Sequence, residues 1–243
     1  MASPLDQFKL KTVLEIKPFG LDLSITNSTI MMFGIVAFLI IFLTILVRRL
    51  EVKPSKKQVV AEGFFNFITG MISNNVSYQA KMRLFPLVFS IFMFILFSNV
   101  FGVIPYTFTI TSHISITLAV AMIVFIIIVA VGIKRKGFFG YFHSFVPSGV
   151  PIVIAPLIFV IEFITYLMRP FTLALRLAAN MIAGHTMLKV IAGFVGAMGV
   201  FGIVPILFIS ILTGFEFFVA CLQAYIFSML TCIYLNEALS TEH

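Results

Sequence analysis

The chain has 243 residues, 61% of them hydrophobic and only 10% charged, with a mean hydropathy of +1.16. Soluble domains carry about 25% charged residues, so a soluble enzyme or binding module is excluded. The net charge of +7 would suit nucleic acid, but the basic residues cluster at the ends of apolar runs, which is the positive-inside pattern of membrane proteins, and nucleic acid is not expected as a partner.

The clusters are Arg48, Arg49, Lys53, Lys56 and Lys57, then Lys81 with Arg83, then Lys134, Arg135 and Lys136. The expected fold is all-α: a polytopic integral membrane helical protein forming one domain over residues 1–243. The apolar runs are too long for barrel strands. Residues 1–24 mix Lys9, Lys11 and Lys17 with Asp6, Glu15 and Asp22. They read as an outer polar arm without a signal-peptide pattern.

Residues 25–47 form the first predicted span, with Asn27 or Ser28 as its cap. The following basic cluster places its far end on the cytoplasmic or matrix side. Residues 55–80 differ. Val60, Phe64, Phe67, Ile68, Met71 and Ile72 recur at helical spacing among polar residues, so an amphipathic helix lying on the inner surface is expected. A hairpin follows over 84–133, spans Leu84 to Ile104 and Ile114 to Ile133, with Thr107 to His113 as the outer turn. An inner loop is expected over 137–149.

From Pro151 to about Ala192 the chain could be helical for about 60 Å, against a hydrocarbon core of about 30 Å. Such a helix must tilt, bend or break, and Pro156 and Pro170 offer bends. Gly193, Gly196, Gly199 and Gly202 mark a turn, and Ile203 to about Leu239 forms a second long helix. Residues 150–239 are therefore expected as a long, steeply tilted hairpin. Cys221 and Cys232 lie about 16 Å apart along it and cannot bridge each other.

That hairpin carries Glu162, Arg169, Arg176, Asn180, His185 and Glu216 in sequence that otherwise reads as membrane. Charges in a bilayer cost several kcal/mol, so they face protein or water and mark ion paths. At about 100° per residue, Glu162, Thr165, Arg169, Thr172, Arg176 and Asn180 share one stripe, and His185 lies on the opposite side. On the last helix Glu216, Gln223 and Tyr234 share a face. Folding the hairpin near Gly199 or Val200 sets His185 level with Glu216, Arg176 with Gln223, and Glu162 with Tyr234 and Glu237.

Arginine keeps its charge, and no carboxylate stands level with Arg176, so its counter-charge is expected from another protein. His185 with Glu216 would form a titratable outer pair and Glu162 an inner carboxylate. An outer and an inner site separated by a fixed positive charge are the parts of two offset half-channels. The bland reading, a set of interhelical hydrogen-bond partners with Arg169 and Lys189 reaching to an interface, fits any one residue better than it fits the set.

The segment Leu175-Arg176-Leu177-Ala178-Ala179-Asn180-Met181-Ile182-Ala183-Gly184-His185 resembles the subunit a family of F-type ATP synthases. The resemblance extends to Ser3-Pro4-Leu5-Asp6-Gln7-Phe8, Ile104-Pro105-Tyr106, Val146-Pro147-Ser148-Gly149-Val150-Pro151, Gln223-Ala224-Tyr225 and Ile233-Tyr234-Leu235. It implies that Arg176 interacts with the essential carboxylates of a rotating c-subunit ring. It further implies Glu162 in the inner half-channel, His185 and Glu216 in the outer one with Asn99 nearby, and Gln223 facing Arg176. Many bacterial members carry an acid where His185 stands and a histidine where Glu216 stands. The swapped pair here resembles mitochondrial members and their nearest bacterial relatives.

The implied function is a proton-translocating stator subunit without a catalytic site or cofactor of its own. Its implied partners are the c-ring, peripheral-stalk b subunits, protons, lipid and, indirectly, the F1 head. The implied location is a bacterial or mitochondrial inner membrane. The rival readings are a proton-coupled secondary transporter and an intramembrane enzyme. The first would bring its own counter-charge and substrate cavity. The second would need a nucleophile with a base or a metal set, yet His113, His143, His185 and His243 show no ligand spacing.

Overall fold

The computed structural model describes residues 12–14, 24–47, 55–75, 78–104, 109–143, 145, 151, 153–197 and 202–239. The cluster at Arg48, Arg49 and Lys53 lies outside these residues, as do most of the polar arm, Pro105-Tyr106 and residues 146–150. The described chain is helical nearly throughout. A short antiparallel pair, β1 (Thr12–Leu14) with β2 (Ile25–Thr26), precedes the first helix.

Helix α1 (Asn27–Val47) is an uninterrupted apolar run. Its entry is organised by Thr26, whose hydroxyl bonds those of Ser28 at 2.7 Å and Thr29 at 3.2 Å. The residue that leads into the helix is thus Thr26, one or two positions earlier than the expected cap at Asn27 or Ser28. Helix α2 (Lys56–Asn75) packs on α1, α3 (Tyr78–Val103) and α7 (Ile203–Leu239). Residues 78–80, expected at the end of the amphipathic segment, begin α3 instead. Ile68, Met71 and Ile72 of the α2 stripe are buried, but Val60 and Phe67 are about half exposed. Those two line an apolar cavity of about 740 Å³ with Phe92, Phe218 and Tyr225.

Helix α4 (Ile114–Lys136) runs back and ends at Gly137. There φ is +74°, a value that L side chains rarely adopt, and the Gly137 N–H closes on the Ile133 carbonyl at 2.8 Å. The turn launches a short helix, α5 (Phe138–His143), where a plain loop was expected. Tyr141 of α5 is buried against Gly132, where any Cβ would collide with its ring. Between α3 and α4 a 3-10 turn, Ile110–Ser112, is likewise buried.

Helix α6 (Ala155–Ala197) has 43 residues and α7 has 37. At 1.5 Å per residue they reach about 65 Å and 55 Å, well beyond a hydrocarbon core of about 30 Å. Neither can stand upright in a bilayer. Pro156 falls in the first turn of α6, where no backbone bond is lost, so only Pro170 interrupts the ladder from within. Among the described residues five helices are long and apolar enough to cross a membrane: α1, α3 from Leu84, α4, α6 and α7. Helix α2 does not qualify.

The core forms where α3 lies along α7, with α1 and α2 on one flank and α4 with α6 on the other. Ile68, Ile72, Val88, Ile95, Phe227 and Leu235 are its most enclosed members. Outside it, α6 exposes Leu157, Ile164 and Leu167, and α7 exposes Leu207, Ile211 and Phe215. Such a surface is stable only against lipid or another protein.

Candidate functional site

The polar side chains of α6 and α7 sort into three layers. At the end remote from Lys136, His185 on α6 and Glu216 on α7 are both buried, with Nε2 and Oε1 3.7 Å apart. This is the pairing expected from the hairpin count. Thr109 completes the layer. Its hydroxyl stands 3.0 Å from His185 Nε2 and donates to the Gly102 carbonyl at 3.2 Å. Neither oxygen of Glu216 has a hydrogen-bond partner among the described residues.

Two further residues hold this layer in shape. Asn99 on α3 is fully enclosed and donates to the Ala220 carbonyl of α7 at 3.2 Å, which ties α3 to α7 one turn from Glu216. Gly184 lets Glu216 lie against α6: a Cβ there would stand 2.5 Å from Oε1 and 2.8 Å from the carboxyl carbon. The sequence marks Asn99 and the Gly184-His185 pair through the family resemblance. Thr109 escapes it, because an isolated threonine in an outer turn carries no signal until that turn is seen to fold inward.

In the middle layer Asn180 donates to Gln223 at 3.1 Å. The expected partner of Gln223 was Arg176, one turn away along α6. Arg176 instead is exposed on the stripe with Glu162, Thr165, Thr172 and Asn180. No hydrogen bond or ion pair joins Arg176 or Glu162 to any described residue.

The third layer departs most from the count. Glu162 does not meet Tyr234 or Glu237; Arg169 does, two turns along. Arg169 Nη1 lies 2.6 Å from Glu237 Oε2, and its guanidinium sits 4.3 Å above the Tyr234 ring and 4.8 Å from that of Tyr166. Arg169 is thus paired with α7, whereas in the bland reading it reaches to an interface. Lys136 of α4 donates to the Glu237 carbonyl at 3.2 Å, and Tyr141 of α5 shares a hydrogen bond with Tyr166. The partners of α6 advance faster along α7 than a level hairpin allows, from 185 with 216, through 180 with 223, to 169 with 237. Two tilted helices that cross do not keep level.

No group of three metal-ligating side chains occurs among the described residues. The fold and these layers define a multi-pass membrane protein with ionisable groups arrayed through its depth. Residues 29–236 match the ATP synthase A chain family. Similar proteins include the ATP synthase subunit a of Wolbachia sp. subsp. Drosophila simulans (strain wRi), 46% identical over 238 residues, or 97% of this chain and 98% of that one. That of Pelagibacter ubique (strain HTCC1062) is 47% identical and that of Rhodospirillum rubrum 44%, each covering 99% of both chains. The chain belongs to the ATP synthase A chain family.

Proposed function

We propose that this chain is the stationary, proton-conducting subunit of a rotary ATP synthase in an energy-coupling inner membrane. The observation that carries the reading is Arg176: an exposed guanidinium on a long, largely apolar helix with no anion paired to it among the described residues. A fixed cation at membrane depth needs a counter-charge, and a second protein with a carboxylate at that depth supplies it. The ring of c subunits of such a synthase is that partner. The names of the relatives, ATP synthase subunit a, support the same reading.

In this reading His185, Glu216 and Asn99, with Thr109, line the outer half-channel. Glu162 and Tyr234 belong to the inner one. Asn180 and Gln223 bridge α6 to α7 beside Arg176 and hold the separating wall closed. A proton enters at the outer layer, passes to a ring carboxylate, travels round the ring and leaves near Glu162. Arg176 favours the ionised carboxylate and so promotes release. The chain itself makes no ATP; peripheral-stalk b subunits and the F1 head are expected partners in the complete assembly. Mild-detergent purification of the tagged chain tests this. Co-isolation with a ring of small carboxylate-bearing subunits and an ATP-hydrolysing head is expected; isolation as a free monomer from intact membranes would refute it.

A further inference from the structure

The α6 stripe carries two arginines one heptad apart, and the structure treats them differently. Arg169 is locked by Glu237 at 2.6 Å between the rings of Tyr166 and Tyr234, with its side chain 20% exposed. Arg176 is exposed and unpaired among the described residues. The lock is itself anchored, because Lys136 of α4 holds the main chain of Glu237.

We propose that Glu237 is a positioning residue for the ring-facing site: it neutralises and turns in Arg169, so that Arg176 is the one uncompensated cation among the described residues of the stripe. The proposal rests on the reading that Arg176 works against a partner carboxylate. About 10 Å separates positions seven apart on a helix. With Glu237 neutral, a carboxylate passing Arg176 would meet a second free cation at that distance, towards the inner side where the proton leaves. An ionised carboxylate held by two cations resists reprotonation and rotation. The flanking tyrosine rings keep the bound guanidinium in place through their π faces. Arg169 therefore matters through what Glu237 prevents it from doing.

This predicts an asymmetry that a purely structural tie would not give. Complete complexes carrying Glu237→Gln, Glu237→Asp, Arg169→Gln or the double change Arg169→Gln with Glu237→Gln would be reconstituted in vesicles, with Arg176→Ala alongside. ATP-driven proton pumping is measured per assembled complex. Glu237→Gln is expected to lose about tenfold, the order of effect of a second unit charge about 10 Å away at an effective dielectric constant of about 20. Arg169→Gln should stay within about twofold of the unchanged chain. The double change should recover to the level of Arg169→Gln, and Glu237→Asp should retain most activity. Equal losses in Arg169→Gln and Glu237→Gln without recovery in the double change would overturn the proposal, as would normal pumping by Glu237→Gln. If Arg176→Ala still pumps, the underlying reading fails as well; if it is inactive while Glu237→Gln is normal, only the role of Glu237 fails.

Discussion

Gly184 is the residue whose lack of a side chain makes the outer layer possible. The carboxyl group of Glu216 occupies the space its Cβ would fill, and this contact places Glu216 beside His185. Gly184→Ala is therefore expected to displace Glu216, although alanine favours a helix by about 1 kcal/mol over glycine. Coupled proton uptake from the outer side should fall by about tenfold, equivalent to about 1.4 kcal/mol on the barrier, while the complex still assembles. Gly34→Ala is the control, since nothing lies within 4 Å of its Cβ position. Proton-driven ATP synthesis by both variants checks this; equal activity in the two would show that Glu216 does not depend on the close approach.

At the scale of elements, α5 and its tie to α6 carry a separate expectation. Tyr141 is buried against Gly132 and shares a hydrogen bond with Tyr166. Burial, the largest influence, pushes the Tyr141 phenol above its usual value. The folded state thus favours the neutral phenol. Its contribution is whole below the ordinary tyrosine value of about 10 and is lost as pH rises through the higher folded value. Tyr141→Phe should cost about 1 kcal/mol. The difference in melting between variant and parent should be constant across neutral pH and shrink above pH about 10. A difference that already varies near neutrality would contradict the assignment.

The elements were legible to unequal degrees. The membrane helices and the overlong hairpin followed from unbroken apolar runs bounded by lysine, arginine and glycine. Helix α5 was hidden because it is a single aromatic turn behind Gly137, too short for periodicity to register. In the site, the His185–Glu216 pair lies near the hairpin turn, where a count along two helices accumulates little error. Further from the turn the error grows with the crossing of α6 and α7. Gln223 therefore pairs with Asn180 instead of Arg176, and Glu237 with Arg169 where Glu162 was expected. Thr109 could not be seen from spacing, because it comes from another hairpin altogether.

For the whole molecule, the basic ends of the helices set an orientation that labelling can read. Cysteines placed at Lys56 and Lys134 should react with an impermeant thiol reagent from one side of the membrane. A cysteine at the exposed Ile114 should react from the other. Thr109→Cys should be shielded on both sides, because Thr109 is buried beside His185. Labelling of positions 56 and 114 from the same side would invert the arrangement on which the two half-channels depend. The central claim is that Arg176 couples proton flow to a partner and keeps the two half-channels apart. A continuous path would leak without doing work, so the path must be broken, and a fixed charge opposes the passage of a proton across the break. The most direct measurement is passive proton flux through vesicles holding the assembled Arg176→Ala complex, with ATP synthesis followed in parallel. Abolished synthesis together with a raised passive leak is the predicted result; near-normal synthesis by Arg176→Ala would contradict the account.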